Sequence, residues 1–287
     1  MPVELSGGYE LSLSFPQRPD GYVILAVYAL LALAALIGAW RSVTRLRGRQ
    51  WWLFLMLLAA SVLLNALLSV PLSLPGWPQT SSVPPTPLLG MFCVLLTGAW
   101  LGTGPATAAG LAAGLARWLF ARGRITQPAE IALIGFLAAF LMWQRYRGRL
   151  GSLLRRPFAA GGVTAVVALF PTALAIYASA PGDSLSALDY TESLFLAAAL
   201  PLFAEILLGA LLAHLACLAF PSLRPSLPAT ETPIYARSFS RRVLLTILPI
   251  TFVTISFQVF FVGATALGEA RQQALAQLTR GDRKSVV

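Results

Sequence analysis

Long apolar stretches alternate with short polar segments along the whole chain. Eight stretches are predicted as membrane-spanning helices, at 21–40, 51–71, 87–102, 105–121, 128–144, 161–180, 193–219 and 243–267. About 20 helical residues cross the hydrocarbon core, and about 17 is the short limit. Because a backbone in lipid must satisfy its own hydrogen bonds, the spans are helical. The pattern predicts an all-α, polytopic membrane bundle of about eight transmembrane helices.

The third and fourth stretches are near or below the short limit. They are joined only by Gly102-Thr103-Gly104-Pro105. Residues 87–121 therefore form either two full spans or a hairpin that returns to the same face. Merging the two stretches into one span would reverse the side of every later loop, so it is the poorer interpretation.

The arginines are distributed unevenly between alternate loops. If the N-terminus is outside and all eight stretches cross, thirteen arginines lie on the inner side: 41, 45, 47 and 49; 145, 147, 149, 155 and 156; 224, 237, 241 and 242. Four lie outside before the last span, at 18, 117, 122 and 124. This bias follows the positive-inside rule and predicts an outer N-terminus. The cluster from Arg117 to Arg124 breaks the rule, and the sequence does not explain it.

Composition agrees with a bilayer protein, because 57% of the residues are hydrophobic, 11% are charged and the mean hydropathy is +0.74. The net charge of +10 comes from arginines in loops beside spans, where they contact anionic head groups, so no nucleic-acid partner is expected. Cys93 and Cys217 each lie in an apolar run, and His214 is the only histidine. We therefore expect no disulfide framework, metal site or cofactor.

The chain divides into segments of different composition. Residues 1–20 are predicted as an extracytoplasmic tail, 21–220 as a seven-helix membrane domain and 221–242 as a basic, proline-rich cytoplasmic linker. Residues 243–281 are predicted as one span followed by the start of an extracytoplasmic helix. The last six residues, 282–287, contain the only lysine and resemble the translation of a sequencing adapter. An ordinary basic tail is the alternative for those six.

Glu205 is the most suggestive single residue, near the middle of the seventh stretch and four positions after Pro201. A carboxylate at that depth costs on the order of 2.5–3.5 kcal/mol, so it should face protein or water. It is either a ligand, cation or proton site, or a protonated side chain bonded to a neighbouring group. His214, nine residues on, faces the opposite side of the same helix.

Arg117 and Asn65 complete the candidate ligand-binding set. For Arg117 we expect snorkelling to the interface beside Trp118, with partnership to Glu205 as the alternative. Asn65 is the only asparagine and is expected to bond between helices. Glu130 falls in the first turn of the fifth stretch, where a carboxylate complements the helix dipole.

Small residues repeat in the fourth stretch, at Gly110 and Gly114. That spacing lets two helices approach closely, and packing inside the bundle is expected rather than a dimer contact. No P-loop, H-E-x-x-H or G-x-S-x-G motif occurs, so we expect no enzyme active site in these residues.

The run from Ser238 to Arg280, which includes Arg241-Arg242 and the span that follows, resembles the opening of bacterial transmembrane receptors with a Cache-type extracytoplasmic sensor. That resemblance implies a later cytoplasmic output module such as a histidine kinase. It also implies a homodimer, for which the sequence offers only a short heptad: Phe260, Ala264, Leu267, Ala274 and Leu278. Residues 87–121 resemble the sensory regions of some bacterial kinases and the substrate-binding membrane components of vitamin transporters.

Two functions follow from these resemblances. The first is the membrane-embedded input region of a bacterial signal-transduction receptor in the inner membrane, responding to a small-molecule or membrane-derived stimulus. The second is the substrate-binding membrane component of a small-molecule, vitamin-type transporter with its ligand near Glu205.

Overall fold

The computed structural model describes residues 16, 18–44, 46, 48–67, 69–70, 86–87, 89–120, 124–145 and 148–223. The helices in these ranges are α1 Pro19–Val43, α2 Arg49–Leu67, α3 Gly90–Leu101, α4 Thr103–Phe120, α5 Gln127–Met142, α6 Arg149–Leu154, α7 Pro157–Ser179 and α8 Ser184–Ala219, followed by a 3₁₀ turn, Pro221–Leu223. A two-residue antiparallel pairing joins β1 (Ser69–Val70) to β2 (Thr86–Pro87), with Ser69 opposite Pro87. The described part of the chain is therefore a helical bundle.

Each of the first seven apolar stretches contains a helix, so the all-α prediction is confirmed. Four helical segments are long and apolar enough to cross a membrane: Pro19–Gly38, Arg49–Leu67, Pro157–Ser179 and Ser184–Ala219. At 1.5 Å per residue α3 is only about 18 Å long and α5 about 24 Å, less than the roughly 30 Å of hydrocarbon. The predicted spans 87–102 and 128–144 are thus shorter helices than expected. Several predictions lie outside the described residues: those for residues 1–15, for 224–242, for the eighth span at 243–267 with the rest of 243–281, and for the six residues 282–287.

The side chains on α1 and α2 show what surrounds the bundle. Large apolar residues on these two helices are more than half exposed, among them Leu30, Ile37, Trp52, Met56 and Leu63. A contiguous apolar surface of this kind is rare on a protein in water and ordinary on one in lipid. The long apolar helices and their apolar outer faces together indicate a membrane-embedded, multi-pass protein.

Helices α3, α4 and α5 form a short antiparallel unit. Gly102, at φ +99°, makes the reversal between α3 and α4, a backbone conformation that glycine adopts without strain. Trp143, directly after α5, donates its indole N–H to the carbonyl of Gly98 at 2.7 Å, so the end of α5 lies beside the end of α3. Helices α3 and α4 therefore run antiparallel, with their outer ends on the same side of the bundle, as either two spans or a hairpin would have them.

The glycines of α4 face α5. A Cβ added at Gly110 would lie 2.5 Å from the carbonyl oxygen of Ile131, and one at Gly114 would lie 2.5 Å from the Cα of Pro128. Since no side chain fits there, the backbones of α4 and α5 touch. The expectation that these glycines pack within the bundle is confirmed, and their face is not free for a dimer contact.

Helices α1, α7 and α8 form the long side of the bundle. The hydroxyl of Tyr28 donates to the carbonyl of Pro171 at 2.5 Å, and the backbone of Gly21 approaches Ala178, so α1 runs antiparallel to α7. Gly161 near the start of α7 contacts Ala210 on α8. We call the end with residues 180–183 and the start of α1 the loop end, and the end with residues 44, 46, 48, 143–145 and 148–156 the basic end. Pro171 lies inside α7 and Pro201 inside α8.

Candidate functional site: a buried charged triad

The three residues predicted as a ligand-binding set lie together inside the bundle. Asn65 comes from the last turn of α2, Arg117 from the last turn of α4 and Glu205 from the middle of α8. Asn65 and Glu205 are fully buried, and Arg117 is 5% exposed. We call these residues the buried triad. Sequence spacing alone did not bring them together, because each belongs to a different helix.

Arg117 is the centre of the triad. Its Nε donates to Oδ1 of Asn65 at 2.6 Å, and its Nη2 is hydrogen-bonded and ion-paired to Oε1 of Glu205. The amide of Asn65 donates to the carbonyl of Ser61 at 2.6 Å and to that of Gly90 at 3.3 Å, which anchors it to α2 and α3. Four helices, α2, α3, α4 and α8, are thereby connected through one polar network.

Two glycines make room for this network. A Cβ added at Gly90 would collide with Asn65 and would lie 2.8 Å from Nη2 of Arg117. A Cβ added at Gly209, one turn after Glu205, would lie 2.9 Å from the backbone nitrogen of Phe92. Because both positions lack a side chain, the first turn of α3 fits directly against α8 and the charged groups.

The prediction that Arg117 snorkels to the interface is wrong. Gly161 on α7 contacts Ala210 on α8, so this contact is a common reference level for the two helices. At 1.5 Å per residue, the end of α7 lies about 27 Å from that level toward the loop end, and Glu205 on α8 lies only about 8 Å from it in the same direction. The triad is thus about 20 Å inside the loop end of α7. Since α4 is short, its end stops at the level of the middle of α8, and Arg117 meets Glu205 there.

Burial determines what the triad can do chemically. The guanidinium and the carboxylate have opposite charges, so the network is neutral when both are ionised. Removing either partner would leave a buried charge without compensation, which is strongly destabilising. The backbone N–H of Met91, in the first turn of α3, also interacts with the Glu205 carboxylate. The direct bond between Glu205 and the permanently charged guanidinium supports an ion pair, which is the partnership that the sequence left open as the alternative for Arg117.

One part of the network is incomplete. Among the described residues, Oε2 of Glu205 and the hydroxyl oxygen of Ser61 are buried and have no hydrogen-bond partner. Ser61 lies one turn before Asn65 on the same face of α2, and it is fully buried. Buried polar atoms of this kind are uncommon, and each one calls for a partner such as a bound molecule.

Two of the three arginines that break the positive-inside rule, Arg117 and Arg124, have partners inside the protein, and the third, Arg122, lies outside the described residues. Besides Arg117, Arg124 pairs with Glu130 at 3.4 Å, and Glu130 also accepts from the hydroxyl of Thr126 at 2.5 Å. Glu130 lies in the first turn of α5, as predicted, and is 3% exposed. The positive-inside rule counts basic residues and not net charge, so these ion pairs account for where the two side chains lie and leave the arginine count unchanged.

Arg18 ties the loop end together in a similar way. It donates to the carbonyl of Tyr177 at 2.5 Å, its guanidinium lies 4.4 Å from the centre of the Tyr177 ring, and it pairs with Asp20 at 3.5 Å. The hydroxyl of Tyr177 in turn donates to Asp20 at 3.0 Å. A cation at the last carbonyls of α7 also complements the helix dipole.

Several of these residues escaped the sequence-based reasoning. Gly90, Gly209 and Ser61 border the triad, and none was singled out. The glycines carry a weak signal, since each lies in an apolar stretch one turn or less from a helix end or from a charged residue. The hydroxyl of Ser61 carries none. In the described ranges no group of three or more His, Cys, Asp or Glu side chains could hold a metal ion.

Searches of protein-family models, curated proteins and solved structures found no match to this chain. The site is therefore interpreted from its own geometry.

Proposed function

We propose that these residues form the membrane-embedded input region of a bacterial signal-transduction receptor in the inner membrane. The observation that carries the proposal is the position of Glu205 on α8. From Glu205 to Ala219 the helix continues without a proline, and the chain then enters the basic segment 221–242. A change at the triad therefore has a rigid connection toward the following part of the chain.

The triad is suited to a two-state role. It joins α8 to α2, α3 and α4 through charged and amide groups, which bond well in one geometry and poorly in others. An input that favours a shifted α8 must separate Arg117 from Glu205, and one that favours the present arrangement must keep them together. The triad thus couples the helix position to a discrete contact.

The topology belongs to the same proposal: about eight transmembrane helices with the N-terminus outside and the basic end facing the cytoplasm. The thirteen inner arginines support this orientation. Three of the four outer arginines, Arg18, Arg117 and Arg124, have acidic partners in the bundle, and with all four counted as outer the excess of arginine is still on the inner side. The basic segment 221–242 then lies in the cytoplasm, beside anionic head groups.

Two measurements test the receptor proposal. Sequencing the gene beyond these codons should find an in-frame cytoplasmic output domain; a natural stop codon directly after residue 281 would contradict the proposal. In the full-length protein, Glu205→Gln should shift the basal output, for example autophosphorylation. The matched control Glu130→Gln removes a buried carboxylate from α5 and should leave the output near wild type. Equal outputs from wild type and Glu205→Gln would argue against transmission through α8.

The vitamin-type transporter would need space for a larger ligand at Glu205. The described contacts there are close: α8 meets the first turn of α3 at Gly209, and Glu205 is fully buried. This packing favours the receptor. Saturable binding of a vitamin-sized compound that Glu205→Gln abolishes would reverse that preference.

A further inference from the structure

The protein contacts the Glu205 carboxylate through Arg117 and the backbone N–H of Met91, but the two carboxylate oxygens are bonded unequally. Oε1 is bonded to Arg117, while Oε2 is buried without a hydrogen-bond partner among the described residues. An unpartnered buried oxygen on a charged group costs more than one on a neutral group. The second carboxylate that is buried in the described part of the chain, that of Glu130, differs in this respect, because both of its oxygens are hydrogen-bonded.

The chemistry of the triad restricts what can sit at Oε2. An ionised carboxylate only accepts hydrogen bonds, so the occupant must donate one. The positive charge of Arg117 already balances Glu205, so a further ion of either sign would leave an uncompensated charge buried in the bundle, which is costly. The occupant is therefore a neutral hydrogen-bond donor.

The packing restricts its size. Glycines at 90 and 209 bring α3 against the triad and α8, with neighbouring atoms 2.8–2.9 Å from where a Cβ would stand. The hydroxyl of Ser61, on the same buried face of α2 as Asn65, is a second polar atom without a partner in the described ranges. This close packing of α3 on α8 favours an occupant of one to a few heavy atoms over a vitamin-sized one.

We propose that Glu205 Oε2 is the acceptor of a binding site for one small neutral hydrogen-bond donor inside the bundle. Two sources share this chemistry: a resident water, and a small hydroxyl or amide solute that enters from outside. The site does not depend on the receptor role, because it follows from the unpartnered oxygens and the charge balance alone.

Infrared difference spectroscopy on the full chain in lipid nanodiscs tests the site. In the first arm, H₂¹⁶O is exchanged for H₂¹⁸O, and the O–H stretch of a hydrogen-bonded internal water is followed. In the second, methanol and formamide are titrated as probes, and the carboxylate stretch of Glu205 is isolated as wild type minus Glu205→Gln. Glutamine keeps the shape of the side chain and replaces the accepting Oε2 by a donating NH₂. Glu130→Gln, whose carboxylate has both oxygens bonded, is the matched control.

A water band that shifts with ¹⁸O and is lost in Glu205→Gln but kept in Glu130→Gln supports the site with water as its occupant. A saturable shift of the Glu205 carboxylate band with methanol or formamide supports it with a solute. A carboxylate band that neither exchange nor titration moves, together with identical water bands in wild type and both variants, overturns the proposal. If Glu205→Gln does not fold, the wild-type arms still test the proposal, because the absence of both an ¹⁸O-shifted internal-water band and a saturable carboxylate shift with methanol or formamide would overturn it.

Discussion

Replacing Glu205 by glutamine removes the negative charge of the triad while keeping the volume of the side chain. Arg117, which is 5% exposed, then stays buried without a counter-charge. Breaking one partner of a buried ion pair costs about 3–5 kcal/mol of folding free energy, much of it the penalty of the charge left behind. Arg117→Gln should cost a similar amount for the mirror-image reason.

The double variant distinguishes a coupled ion pair from two residues that contribute to stability independently. With glutamine at both positions no buried charge remains, and two amides can bond to each other. Replacing a buried pair by neutral groups is often close to neutral. We therefore expect the double variant to be no less stable than either single variant, which is a strongly non-additive cycle. Reversible unfolding of the chain in mixed lipid–detergent micelles with increasing SDS measures all four proteins.

A second cycle, with Arg124→Gln and Glu130→Gln, is the control. The Arg124 side chain is 24% exposed and its pair with Glu130 is 3.4 Å apart, so solvent screening keeps the coupling at about 1 kcal/mol or less. Additive losses at Arg117 and Glu205, equal to the sum of the two single variants, would refute the reasoning that these charges stabilise one another.

Three other perturbations have defined outcomes. Gly90→Ala places a Cβ 2.8 Å from the guanidinium of the triad and should lower the free energy of unfolding by about 1–3 kcal/mol in the same SDS assay. The control Gly162→Ala, whose Cβ would have nothing within 4 Å, should leave the free energy of unfolding unchanged. Trp143→Phe removes a 2.7 Å hydrogen bond to a carbonyl of α3, and thermal unfolding should show a loss of about 0.5–1.5 kcal/mol. Hydrogen bonds from Ser186 lower the pKa of Asp183, the N-cap of α8, below its ordinary value of 3.8. The stabilisation of the fold by the ionised Asp183 is therefore present above that ordinary pKa and is lost as the pH falls through the lowered one. Acid titration followed by circular dichroism should show this loss, and Asp183→Ala should abolish it.

The helices could be predicted from hydropathy because lipid leaves the backbone no alternative. Their lengths could not. Helix α8 begins at Ser184, nine residues before the predicted span at 193–219, because Asp183 caps it by accepting from the backbone N–H of Ser186 at 2.9 Å. The capped residues are polar, so a search for apolar runs misses them. The short helix Arg149–Leu154 was missed for the same reason.

The members of the triad could be chosen from the sequence, but their contacts could not. Polar residues in apolar stretches are few, so Asn65, Arg117 and Glu205 were all selected. Whether these residues meet depends on how deep each one lies in the bundle, and that depth depends on which helices are short. The sequence-based prediction gave α4 and α8 the same depth in the membrane, so it placed Arg117 near the membrane surface and Glu205 near the membrane centre. The close packing of α4 on α5 and the shortness of α3 bring the two to one level.

The distance between Arg117 and Glu205 in a bilayer is the most direct test of this account. Solid-state NMR on lipid-embedded protein, with ¹⁵N in the arginine guanidinium groups and ¹³C in the glutamate carboxyl groups, detects direct pairs by dipolar dephasing. We predict a strongly dephased carboxyl signal that Glu205→Gln removes, while the Arg124–Glu130 signal persists. Identical dephasing in wild type and Glu205→Gln would show that the two charges are not in contact, and the buried triad would not exist.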